Sequence, residues 1–113
     1  MNALNFNIAA NEPAIVINPK NPAQVVAGSN LANVFNSADS GKTWQTNLLT
    51  SKFGVWGDPC VVADADGRFY YFHLSDPTGK NWTSAEMLDR VVCQFSDDGG
   101  KSWANESYFG FAH

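Results

Sequence analysis

The chain has 113 residues, of which 44% are hydrophobic, 13% aromatic and only 16% charged. That length allows one small domain, and its 8 Phe, 4 Trp and 3 Tyr argue against intrinsic disorder. A net charge of −4, from 7 Lys+Arg against 11 Asp+Glu, disfavours nucleic acid as a partner, and no apolar run approaches the roughly 20 residues of a membrane helix.

Residues 1–11 form an N-terminal segment that could supply a closing strand. Met1-Asn-Ala-Leu-Asn-Phe-Asn has no basic region followed by an apolar stretch, so no signal peptide is expected. From there the chain reads as short strands rich in Val, Ile, Phe, Tyr and Trp, separated by turn chemistry. Four are predicted over 14–18, 24–29, 32–37 and 43–49. Four more are predicted over 60–63, 68–75, 90–96 and 102–109. Asn18-Pro-Lys-Asn-Pro22 and Asp64-Ala-Asp-Gly67 mark two of the reversals. Helical periodicity is confined to one potential turn over 84–90.

The two sets of strands are copies of one unit. Ser37-Ala-Asp39-Ser-Gly41-Lys-Thr43-Trp44 returns as Ser96-Asp-Asp98-Gly-Gly100-Lys-Ser102-Trp103, 59 residues later. Glu12-Pro13 returns as Asp58-Pro59 after 46. The mismatch of 13 places an insertion in the second copy, over 76–88. Residues 12–50 are thus one repeat and 51–109 the other. Four antiparallel strands in a unit of about 46 residues is the signature of a β-propeller blade.

Each residue of the S-x-D-x-G-x-[TS]-W box has a folding task. Asp39 and Asp98 can accept hydrogen bonds from loop amides. Gly41 and Gly100 supply positive φ. Ser37 and Ser96 offer hydroxyls for local bonds, Thr43 and Ser102 complete the pattern, and Trp44 and Trp103 anchor the following strand. A metal or ligand site at these loops is the alternative reading; no metal site and no cofactor are expected.

On these boxes the chain resembles the bacterial neuraminidase repeat (Asp-box) family, whose members form sialidase-like β-propellers. The resemblance implies an all-β fold of two four-stranded antiparallel blades from a propeller of six, incomplete in this chain. It implies part of a glycoside hydrolase acting on terminal sugars of glycans, in a secreted or periplasmic bacterial setting. Sialidases bind the substrate carboxylate with three arginines and use a Tyr–Glu nucleophile pair with an Asp acid/base. Here there are two arginines, Arg68 and Arg90, and Tyr70, Tyr71 and Tyr108 have no obvious Glu partner. The chain alone is therefore expected to be inactive. The remaining blades would come from a longer protein or from identical copies, three of which would give a ring of six. A non-catalytic propeller module binding glycan or protein is the alternative.

Propeller topology would put the Asp boxes and Asp64–Gly67 on one face, and the loops around the funnel on the other. Asp58, behind Trp56-Gly57, is the acid/base candidate, and its counterpart Glu12 is a candidate substrate-binding residue along with Trp56; either carboxylate could instead merely cap a strand. His73 could bind substrate or be a packed core histidine. Trp82 in the insertion could stack on a sugar or cover the blade. Arg90 could hold a carboxylate or pair with Asp89 or Glu86. Asp64-Ala-Asp-Gly67 starts like a calcium loop but lacks the later ligands, so a hairpin turn is expected. Asn81-Trp-Thr83 and Asn105-Glu-Ser107 match glycosylation sequons. Cys60 and Cys93, among apolar neighbours, are expected to be buried and free, on strands one and three of a blade, with Cα atoms about 10 Å apart.

Overall fold

The runs of β-branched and aromatic residues pair with their sequence neighbours as consecutive hairpins. In a computed structural model, which describes residues 11–76 and 90–109, the strands are β1 (Asn11–Ile17), β2 (Val25–Asn30), β3 (Asn33–Ser37), β4 (Gln45–Leu48), β5 (Gly57–Ala63), β6 (Phe69–Leu74), β7 (Val91–Ser96) and β8 (Ala104–Phe109). They form two four-stranded antiparallel sheets, ordered β1-β2-β3-β4 and β5-β6-β7-β8. No helix occurs among the described residues. The segment 77–89, which holds most of the expected insertion, lies outside the described residues, as do Trp82, Glu86, Asp89 and the first ten residues.

The register is the same in both sheets over their first three strands, and a bulge between Cys93 and Phe95 makes β7–β8 differ from β3–β4. Gly28 pairs with both Ala14 and Val34, and Phe72 pairs with both Cys60 and Cys93. Both edge strands begin earlier than sequence suggests, at Asn11 and Gly57 instead of Ala14 and Cys60. The cause is a bulge in each. Pairing jumps from Asn11 to Ala14 and from Gly57 to Cys60, so the acidic residue and its Pro together oppose one partner residue. Proline has no N–H to contribute, and a bulge is where a sheet tolerates that loss.

The sheets stack with β5 over β1 and β2. Val26, Val34 and Leu49 from the first repeat and Val61, Phe69 and Tyr71 from the second make the buried core, with Ala14, Val16, Val55, Ala63 and Trp103 packed around it. One close approach fixes the stacking. A methyl group on Gly28 would lie 2.4 Å from Tyr71 Oη, so only a bare backbone admits the phenol ring. Tyr71 then donates its hydroxyl to the Asn33 carbonyl at 3.3 Å, and its ring meets Trp103 edge-on at 5.5 Å.

The cysteines are free and sit on β5 and β7 with β6 between them, as their spacing suggests. The expectation of burial fails for Cys60, which is exposed, and is met only halfway by Cys93, which is half-buried. Cys60 shares the outer face of the second sheet with Val62, and strand alternation turns the core-facing role over to Val61.

Candidate functional site

The two ends of the sheets differ in chemistry. At one end lie the β1–β2, β3–β4, β5–β6 and β7–β8 turns, with both Asp boxes. At the other lie the two acidic bulges, the β2–β3 turn, the β4–β5 linker and Ser75 and Asp76 after β6.

The Asp boxes are closed hydrogen-bond knots. Ser37 Oγ donates to Asp39 Oδ1 at 2.8 Å and accepts the Gly41 amide at 2.9 Å. Asp39 accepts the amide and hydroxyl of Thr43. Ser96, Asp98, Gly100 and Ser102 repeat each of these bonds, and Gly41 and Gly100 have φ of 86° and 88°. The Thr43 hydroxyl and amide, then Ser37, hold Asp39 down at a pKa of about 2. For Asp98, partial burial pulls upward, but the bonds from Ser102, Ser96 and Lys101 outweigh it and hold the carboxyl at about 2. With their oxygens committed to the turn, these carboxylates serve the fold. Asp64 does the same for its hairpin, accepting the Asp66 and Arg68 amides and the Tyr70 hydroxyl. Among the described residues no three His, Cys, Asp or Glu gather as metal ligands.

At the opposite end the carboxylates of the two bulges face outward. Glu12 and Asp58 are exposed and have φ of 51° and 50°, in the left-handed region that costs a side-chain-bearing residue energy. Such outliers persist where the surrounding structure enforces them. Here the bulges and Asn30 do so. Asn30 Oδ1 accepts the Asp58 amide at 2.7 Å, and Asn30 Nδ2 donates to Glu12 Oε2 at 2.6 Å. One amide side chain therefore joins the two repeats at their equivalent acidic positions. Gly57 has to be glycine beside it, because its φ is 133° and a Cβ would lie 2.4 Å from Asn30 Oδ1. Sequence reasoning missed Asn30, and the repeat gave no hint of it, since Leu74 occupies the matching place in the second sheet.

The other expected site residues are placed in the interior or along its edge. Trp56 is 8% exposed, and its amide donates to the Leu74 carbonyl at 2.8 Å. His73 is 1% exposed. Its Nδ1 lies 3.0 Å from the Leu74 carbonyl and its Nε2 3.1 Å from Gln94 Nε2, which assigns the proton to Nδ1 and leaves Nε2 accepting. Gln94 uses the same nitrogen to donate to the Thr50 carbonyl at 2.9 Å. Burial pushes the His73 pKa down, so the ring is a neutral strut between β6, β7 and the linker. Arg90 lies 4.7 Å over the rings of both Phe53 and Tyr108, which meet edge-on at 4.9 Å. Thus the fold brings Glu12 and Asp58 together through Asn30, sets Trp56 and His73 behind them, and holds Arg90 against the linker.

No protein-family model and no curated protein matches the chain.

Proposed function

We propose that the chain forms two adjacent blades of a sialidase-like β-propeller of the Asp-box class and is part of a glycoside hydrolase acting on terminal sugars of glycans. One observation carries this reading: each sheet has an identical hydrogen-bonded Asp box at one end and an outward carboxylate on a strained bulge at the other. Carboxylates on such a rim can accept sugar hydroxyls or serve as general acids. The chain supplies rim groups and framework, and one copy holds two arginines, Arg68 and Arg90, of the three that the resemblance calls for.

A second reading, a non-catalytic propeller module that binds glycan or protein, draws support from the enclosed Trp56 and His73. Both have folding tasks that leave little freedom for chemistry. Two measurements separate the readings. A fluorogenic sialoside should not be turned over by this chain, and turnover abolished by Asp58→Asn would overturn the claim that its catalytic set is incomplete. Titration with sialyllactose should shift the backbone amide resonances of Asn30, Gly57 and Asp58. A folded chain whose amides ignore every sugar offered would contradict glycan recognition and leave protein binding.

A further inference from the structure

The interface between the two sheets is a template for a second one. Its first-sheet side carries Ala14, Val16, Val26, Gly28 and Val34, and its second-sheet side carries Val61, Ala63, Phe69, Tyr71 and Trp103. The pairing registers give each strand position an equivalent in the other repeat, and the S-x-D-x-G-x-[TS]-W motif matches Trp103 with Trp44. The equivalents of the second-sheet side lie on the outer face of the first sheet: Ile15, Ile17, Val25, Ala27 and Trp44. The equivalents of the first-sheet side lie on the outer face of the second: Cys60, Val62, Tyr70, Phe72 and Cys93. Among the described residues both faces are partly open, although Val25 is only 5% exposed. Ile15 is 64% exposed, Ile17 56%, and Trp44 and Val62 41% each.

Side-chain sizes on these two faces are complementary in the inverse sense. Inside the molecule the gap at Gly28 receives Tyr71; at the outer faces Phe72 stands in Gly28's place and Ala27 in Tyr71's. Gly100 makes room for Val26, whose Cγ2 would lie 2.6 Å from a Cβ there. The outer counterparts are Tyr70 and Gly41, and beside Gly41 runs an open apolar groove of about 480 Å³ lined by Ile15, Ile17, Val25 and Trp44. The larger Tyr70 thus meets a larger recess. Trp44 now lies back on its own turn, its indole N–H donating to the Gly41 carbonyl at 2.9 Å, whereas Trp103 is inserted between sheets.

We propose that the outer β1–β2 face of one copy of this chain docks on the outer β5–β7 face of a second copy, head to tail, with Phe72 against Ala27 and Tyr70 over Gly41. The contact is heterologous, so copies continue around an axis until they close. About four to eight sheets close a propeller, which is two to four copies. This inference rests on the two-blade reading above and names its partner.

Sedimentation velocity on the full chain, Ile15→Lys and Val62→Lys tests it. Both substituted side chains are largely solvent-facing, so the variants keep their fold. The wild type should sediment as two to four copies and each variant as a monomer. An equimolar mixture of the variants should give a heterodimer, because each retains the face that the other has lost. A wild type that stays monomeric, variants that still assemble, or a mixture that stays monomeric would overturn the proposal; those faces would then belong to other sheets or a foreign partner. A cross-peak between the Tyr71 ring and the Gly28 α-protons distinguishes the failures. If it persists in a monomer, only self-pairing has failed; if it is missing, the stacked-sheet reading fails as well.

Discussion

Asn30 Oδ1 accepts the backbone amide of Asp58 at 2.7 Å, a bond that crosses from one repeat to the other at the carboxylate-bearing rim. The same side chain donates to the Glu12 carboxylate, so the two acidic bulges share a single half-buried support. Replacing it removes both bonds. Asn30→Ala should lower stability by about 1 kcal/mol, a typical net cost for partly solvated hydrogen bonds, as read by urea denaturation. Asn30→Asp keeps an acceptor for the Asp58 amide but sets a carboxylate against Glu12, so it should improve as Glu12 is changed to Gln. Equal stability of Asn30→Ala and wild type would remove Asn30 from the bridge.

Gly28→Ala tests the close approach that fixes the stacking. The added carbon would fall 2.4 Å from Tyr71 Oη and 2.6 Å from Cε2, so the ring must leave its place and release the Asn33 carbonyl. Overpacking of this kind costs about 1–3 kcal/mol, and near-ultraviolet circular dichroism should report the disturbed Tyr71–Trp103 pair. Ala27→Ser, one residue along and facing outward, should leave that signal unchanged.

The two Asp boxes should differ in their importance despite matching bonds. Gly99 and Gly100 of the second box press on Gln24 and Val26 of the first sheet, whereas Trp44 of the first box is 41% exposed. On the monomeric Ile15→Lys background, Asp98→Ala should therefore lower the melting temperature more than Asp39→Ala. The reverse order would mean that the second box is not part of the inter-sheet contact.

Stability should fall with acid in two stages. His73 has a folded pKa below its ordinary value because it is buried. Its contribution is complete above about 6.5 and declines below that, as the unfolded chain takes up the proton first. Asp39 and Asp98, held at about 2, contribute fully above about 4 and lose that contribution as pH falls toward 2. Chemical denaturation across this range checks the order, and His73→Gln should flatten the upper stage alone.

Cys60 and Cys93 should both react as free thiols. On the monomeric Ile15→Lys variant Cys60 should react first, since it is exposed, while burial raises the Cys93 pKa and leaves less thiolate. Mass spectrometry after brief alkylation would show one modified site. A Cys60–Cys93 disulfide would contradict the β5-β6-β7 order.

Much of this architecture was legible in the sequence because local chemistry repeats. The Ser/Asp/Gly/Trp boxes specify their own turns, and apolar alternation places the strands within one to three residues. The rim was harder to read. Glu12-Pro13 and Asp58-Pro59 are recognisable as a repeated pair, yet the bulge and the left-handed φ depend on cross-strand pairing. Asn30 has no counterpart in the second repeat, so periodicity is blind to it. Trp44 and Trp103 are identical as motif residues, and only the presence of a neighbouring sheet makes one a surface ring and the other a core ring.

The central claim is that the two repeats stack as adjacent four-stranded sheets, with Asn30 joining the Glu12 carboxylate to the Asp58 amide at one end. A nuclear Overhauser experiment on the chain tests it most directly. Cross-peaks are expected from the Tyr71 ring to the Gly28 α-protons and to the Trp103 indole, and from the Asp58 amide proton to the Asn30 side chain. Strand-pairing cross-peaks within each sheet, with none of these between the sheets, would contradict it.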